Sequence, residues 1–192
     1  MFAVLCRTFL FLDCVSFPPL YKVLVRSHLD YASSVWAPYK MKHIEQIEKV
    51  QRRATKQLPG MKELPYPERL KKLKLPTLSY RRLRGDLIEV YKIVNIIYDD
   101  SVHPILRMWK DMAPRCSNRG HSKKLYPQQA KTELRKNAFA LRVVRSWNDL
   151  TEEIVSAPSV NAFKNRIDKF FAHSSIYYEE YKWHMDGSGI KQ

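Results

Sequence analysis

The residues with chemical potential are few and badly placed for catalysis. Asp99 and Asp100 form an adjacent carboxylate pair after the apolar run Ile96-Ile97-Tyr98. Two neighbouring carboxylates can hold divalent cations, but a two-metal clamp needs a further carboxylate from a separate element. The segment before them has helical rather than strand periodicity, so the pair reads as a helix-ending turn. Six histidines, His28, His43, His103, His121, His173 and His184, fall in no triad or ligand spacing. Three cysteines, Cys6, Cys14 and Cys116, cannot all pair within one chain, and no Cys-x-x-Cys occurs. The Cys116/His121 pair alone is far short of four zinc ligands. No P-loop, GxGxxG, HExxH or GxSxG sequence is present. The expectation is a chain with no catalytic residues, no metal ligands and no cofactor.

Charge is the stronger signal. The 192 residues carry a formal net charge of +15, concentrated in two blocks. Met41 to Gly85 holds thirteen Lys/Arg against four Asp/Glu, and Cys116 to Leu150 holds eight against two. Clustered cations are the footprint of a polyanion partner, whereas evenly spread ones only solvate a surface. The candidate phosphate contacts are Lys49, Arg52, Arg53, Lys56, Arg69, Lys71, Lys72, Arg81, Arg82 and Arg84. Arg81, Arg82 and Arg84 stand in the first two turns of a helix, where cations are disfavoured by a few tenths to ~1 kcal/mol each. They need a counter-charge: a phosphate backbone, or else Asp86, Glu68 or solvent.

The elements that must position these cations are helices. Met41, Ile44, Ile47, Val50, Ala54 and Leu58 recur at three- and four-residue steps over 40–58. Glu45–Lys49 and Glu48–Arg52 are i,i+4 pairs in the favourable order, and Pro59-Gly60 ends the run. A short helix follows at 67–74. Another spans 78–97, with Thr77 as N-cap and Tyr80, Leu83, Leu87, Val90, Tyr91 and Val94 as its apolar face. Earlier, 1–12 and 18–32 read as short helices. Later, 99–118 reads as a loop with at most one short helix. Weak alternation suggests a small β-hairpin over 121–137. Residues 138–147 read as helix, and Ser159 caps a last one with Val160, Phe163, Ile167 and Phe170 inward. The reading is a mainly α helical bundle: a thumb-like region at 1–98, a hinge at 99–118, a C-terminal helical subdomain at 119–171 and a flexible tail at 172–192.

Composition agrees with that class. The chain is 45% hydrophobic, with only five glycines but eleven prolines. That suits helices broken at defined points. The apolar start, Met1 to Leu12, lacks a basic n-region and is interrupted by Arg7, so it does not read as a secretion signal. No apolar run approaches the ~20 residues of a membrane span. With its unpaired cysteines, the chain is expected in a reducing, intracellular compartment, nuclear or cytoplasmic.

Several of these segments carry a further signature. Tyr21 to Ala32 (YKVLVRSHLDYA), Ile44 to Thr55 (IEQIEKVQRRAT), Arg81 to Lys92 (RRLRGDLIEVYK), Arg119 to Ser122, Trp147 to Leu150 and Ser159 to Lys164 occur in that order. Together they resemble the C-terminal, thumb and post-palm region of CR1/jockey-type non-LTR retrotransposon reverse transcriptases, over roughly residues 7–171. Ser27 and Thr151 stand where that family commonly has proline. Ile96 to Asp100 is similar to the family's Tyr-x-Asp-Asp metal motif but lacks the residue between Tyr and the Asp pair. The resemblance implies a helical thumb that grips a template–primer duplex by its backbone, detached from fingers and palm, with Met1 opening a truncated frame. The implied partners are RNA or an RNA–DNA hybrid, and a palm domain once contiguous with this chain. The rival expectations are a helical protein-interaction domain, presenting Tyr31, Trp36 and Tyr39 where a palm would dock, and a translated remnant without function.

Overall fold

In a computed structural model of the chain, the described residues are 13–99, 106–112, 120–172 and 174–178. They are mainly helical and contain no strand. The segment expected to be helical at 1–12 lies outside them, as do Cys6, Asp100, His103, Cys116, Arg119, His173 and His184. Among the described residues there are eleven α-helical segments. The first two are α1 (Phe17–Tyr21) and α2 (Ser27–Asp30), joined by a π-helical stretch, Lys22–Arg26. Then come α3 (Ser33–Trp36), α4 (Met41–Lys56), α5 (Tyr66–Leu73), α6 (Leu78–Val94), α7 (Trp109–Met112) and α8 (Glu133–Lys136). The last three are α9 (Phe139–Asn148), α10 (Glu152–Val155) and α11 (Val160–Phe171). Among the described residues no helix is long and apolar enough to cross a membrane.

The helix boundaries follow local chemistry. Thr77 Oγ1 accepts a hydrogen bond from the Tyr80 backbone N–H at 3.1 Å, and Ser159 Oγ accepts from Ala162 N–H at 3.2 Å. Both are N-cap bonds that satisfy a first-turn donor. Two stops use the left-handed conformation without glycine. Lys74 has φ 50° after α5, and Leu75 N–H reaches back to the Leu70 carbonyl. Ile96 has φ 54° after α6, and Ile97 N–H reaches back to the Lys92 carbonyl. That six-to-one bond is the Schellman closure. It ends α6 at Val94, three residues short of the expected 97.

The expected hairpin over 121–137 does not form. Pro127 has no N–H to give a ladder, and Thr132 Oγ1 instead accepts from Arg135 N–H to open α8. Residues 124–126 pair with 107–109 through an antiparallel bridge, Met108 to Leu125. Trp109 N–H donates to the Lys124 carbonyl and Tyr126 N–H to that of Arg107.

The chain divides into two compact units, and the division is not where a loop would suggest. One unit holds the described residues up to 82 together with 174–178; the other holds those from 83 to 172. The boundary lies between Arg82 and Leu83, inside the continuous helix α6, rather than at 99–118. The expected tail is also corrected at its start. A 3-10 turn, Ser175–Tyr177, belongs to the first unit. Its Ile176 is buried, Thr77 N–H donates to the Tyr177 carbonyl, and Thr77 Oγ1 donates to that of Ile176.

The first unit is built on Phe17, Tyr21, Val25, Ala54, Leu58, Met61, Tyr66, Leu70, Leu73 and Leu75. In the second, Tyr91 stacks on Phe163 at 4.2 Å and Phe163 meets Trp147 at 5.8 Å. Trp147 Nε1 donates to the Lys123 carbonyl, and Asn148 exchanges two bonds with the Leu125 backbone. In α11 the inward residues are Phe163, Ile167 and Phe171, while Phe170, expected inward, is half-buried.

Candidate nucleic-acid interface

The face of α4 that turns inward is largely polar, with Ala54 as its apolar member. Glu48, Gln51 and Thr55 are buried, while Ile44, Ile47 and Val50 are half-buried and Met41 is exposed. Burying such groups is tolerable only when their hydrogen bonds are made. Tyr66 O–H donates to Glu48 Oε1 at 2.5 Å, and Leu78 N–H donates to the same carboxylate. Gln51 Nε2 donates to Tyr66 Oη and to the Pro76 carbonyl, and Gln51 Oε1 accepts from Tyr21 O–H. Burial, then the Glu48 charge, pushes the hydroxyls of Tyr66 and Tyr21 above their ordinary range, so both remain donors. This network ties α1, α4, α5 and the start of α6 together within the first unit.

The outward side of that scaffold is cationic. Lys49, Arg53 and Lys56 on α4 are exposed, as are Lys71 and Lys72 on α5. Arg52 is half-buried, with its guanidinium 5.5 Å from the Tyr66 ring centroid. The expected Glu45–Lys49 pair is not among the ion pairs of the described residues, so Lys49 extends from the helix without it.

The remaining candidate cations are taken up inside the fold. Arg81 donates through Nε and Nη2 to Asp30 Oδ2, and Arg84 grips both oxygens of Asp168 at 2.6 and 2.8 Å. Arg82 is buried, with Nη2 donating to Ser79 Oγ. Arg69 is buried with Nη1 donating to the Arg52 carbonyl and to Thr55 Oγ1. Asp30 and Asp168 are thus the counter-charges of Arg81 and Arg84. Asp86 holds Arg142 through two 3.0 Å bonds.

No protein-family model, curated protein or solved structure matches this chain.

Among the described residues no three His, Cys, Asp or Glu side chains come together to hold a metal ion. Cys14 is free and half-buried. Asp99 is exposed beyond the end of α6, and Asp100 lies outside the described residues. Tyr98 is occupied locally, donating to Glu89 and accepting from Lys92. His121 is buried beneath the edge of Trp147, with Nε2 3.0 Å from the Trp147 carbonyl. A carbonyl only accepts, so Nε2 carries the proton. Burial pulls the imidazole below its usual pKa and favours that neutral form. Glu152 receives the backbone N–H and hydroxyl of Ser122, which hold its carboxyl below the ordinary range.

Sequence reasoning missed the network of Tyr21, Glu48, Gln51, Thr55 and Tyr66. The signal was present: Glu48, Gln51 and Thr55 lie at i, i+3 and i+7, one helical face.

Proposed function

We propose that the chain is the thumb and post-palm portion of a CR1/jockey-type non-LTR retrotransposon reverse transcriptase. In this reading it acts by sequence-tolerant binding to the backbone of RNA or an RNA–DNA hybrid and performs no polymerase chemistry itself. One observation carries the reading: Lys49, Arg53, Lys56, Lys71 and Lys72 are exposed on two helices that a buried hydrogen-bond network fastens together. Phosphate contacts position a protein on nucleic acid without reading bases. A pre-arranged cationic face is sufficient for that task.

Fluorescence anisotropy on labelled single-stranded RNA at several salt concentrations tests this. Neutralising about five phosphates gives a log–log salt slope of roughly −3.5. The combined Lys49→Ala, Arg53→Ala and Lys56→Ala variant is expected to lose about 2 units of that slope. Salt-insensitive binding, or none at micromolar protein, ends the reading.

A second reading, a helical protein-interaction domain, draws on a different surface. Tyr31 is 79% exposed, Val35 84% and Trp36 40%, while Tyr39 is half-buried. Clustered apolar exposure of this kind marks interaction sites. Sedimentation of the wild type tests whether this surface joins two copies of the chain; a dimer that the Tyr31→Ser/Val35→Ser variant loses while keeping RNA binding supports this reading, and a wild-type monomer counts against a second copy as the partner.

A further inference from the structure

The charge around α1 to α3 is lopsided. Between Cys14 and Ile44 the sequence has four Lys/Arg, Lys22, Arg26, Lys40 and Lys42, against one acid, Asp30. Asp30 is already shared. Its Oδ2 receives Arg81 Nε at 3.2 Å and Nη2 at 3.0 Å, with Arg26 Nε 3.6 Å away. One carboxylate therefore answers two guanidiniums, and a third cation stands beside them. Lys22 is exposed, yet its ammonium is held below the usual lysine pKa, through partial burial first and then through the charges of Arg26 and Arg81. A surface cation that its neighbours disfavour marks a place where an anion is stabilising. The excess continues along α4. Lys42, Lys49, Arg53 and Lys56 are exposed and recur at steps of seven, four and three, so they share one side of the helix.

Two exposed rings accompany these cations. Tyr31 directly follows Asp30, and Trp36 closes α3 five residues before α4 begins. The Trp36 ring is held in place, because its Nε1 donates to the Tyr31 carbonyl at 2.5 Å. The apolar stripe of the preceding helical run, Phe17, Tyr21 and Val25, is used in the unit's own core, which leaves Val23 and Leu24 as the exposed aliphatics there. That is short of the broad apolar face with which a helix lies on lipid. Flat rings beside an excess of cations suit a single strand instead: the cations draw phosphates, and every base has a face to stack, whatever the sequence. We propose that Tyr31 and Trp36 stack unpaired bases of a single-stranded RNA whose phosphates are drawn by Lys22 and by the Lys42 to Lys56 stripe of α4. The inference rests on the backbone-binding reading above and narrows its partner, since the bases of a duplex have no free face to offer.

The test is fluorescence anisotropy with the full chain on two labelled probes of equal length, oligouridylate and an abasic ribose-phosphate strand. The wild type is expected to hold oligouridylate more tightly. Tyr31→Ala and Trp36→Ala should each weaken oligouridylate binding by roughly 5- to 150-fold, the range for one stacked base, and leave the abasic strand unaffected. Tyr31→Phe and Trp36→Phe keep a ring and should keep most of the affinity. None of these changes removes a phosphate contact, so the salt slope should stay as it is. Lys42→Ala/Lys49→Ala should do the reverse, lowering the slope by about 1.4 while the preference for bases persists. Trp36→Ala also removes the bond to the Tyr31 carbonyl; if it lowers Tm, the decision passes to Tyr31→Ala.

Equal affinity of the wild type for the two strands overturns the stacking and leaves the backbone-binding reading standing. A wild type that binds neither strand defeats both. Alanine variants that lose the two strands equally also overturn the stacking. Two other occupants of the rings have their own outcomes. A wild-type dimer that Tyr31→Ala dissociates while oligouridylate binding persists gives the rings to a second copy of the chain. Tyr31-dependent sedimentation with vesicles containing phosphatidylserine, without any preference for the base-bearing strand, gives them to a lipid surface. Either result overturns the proposal.

Discussion

At the scale of single residues, Glu48 and His121 show how burial sets the role of an ionisable group. Glu48 is 2% exposed and receives Tyr66 O–H and Leu78 N–H. Glu48→Gln keeps the shape but replaces one acceptor by a donor facing another donor. Loss of charge-assisted bonds is expected to lower stability by about 1.5–3 kcal/mol in denaturant titrations. His121 is the opposite case, a group held neutral. Its Nδ1 is buried without a partner, so protonation would create a donor with nothing to receive it. Its folded pKa lies below the ordinary 6.5. The unfolded chain therefore binds the proton more readily, and stability is complete above pH 6.5 and declines as pH falls below it. The decline levels off below the folded pKa. Urea titrations between pH 7.5 and 5 should show it, and His121→Leu should remove that part of the slope. The surroundings of His121 were not readable from the sequence. Histidine spacing said only that no triad exists, and nothing in the sequence placed the Trp147 carbonyl over an imidazole 26 residues away.

At the scale of elements, the sequence was informative about where helices occur and less so about which side faces inward. α4, α5, α9 and α11 appear close to where the sequence expects them, and α6 starts where expected but ends early at Val94, because starts and spacing are local properties. Of the apolar series read over 40–58, Ala54 and Leu58 are buried, but Ile44, Ile47 and Val50 are only half-buried, because hydrophobic periodicity does not count Glu48, Gln51 and Thr55 as inward. A hydrogen-bonded network turns these three inward once Tyr21 and Tyr66 supply partners from other helices. The hairpin at 121–137 failed for a related reason: weak alternation cannot distinguish a strand from a single antiparallel bridge. Helix ends give a sharper prediction. Ile96 is a β-branched, exposed residue at φ 54°, in the left-handed region. Holding it there costs roughly 1–2 kcal/mol. Ile96→Gly is expected to recover about 1 kcal/mol, less the glycine entropy term, as a higher denaturation midpoint with an unchanged m-value.

At the scale of the whole molecule, charge was legible in amount and only partly in purpose. The sequence located the basic block over Met41 to Gly85, but not that Arg81 and Arg84 are matched by carboxylates 51 and 84 residues away. Long-range pairing of this kind has no local signature. The same is true of the 3-10 turn at Ser175–Tyr177, which the sequence assigned to a flexible tail. Ile176 is buried there, its carbonyl receives Thr77 Oγ1, and Tyr177 lies 4.7 Å from Tyr80. Ile176→Ala should cost about 2–4 kcal/mol. Hydrogen exchange is expected to report the loss across Thr77 to Tyr80 before α9 and α11.

That turn also imposes an order in time. Thr77 meets Ile176 across 99 positions of chain. A ribosome adding about 5–20 residues per second needs roughly 5–20 s to make that stretch. Throughout that interval, while the intervening unit is being synthesised, the nascent first unit lacks the piece that seats against Thr77 and Tyr80. The early segment must therefore wait, incompletely closed, for a late one.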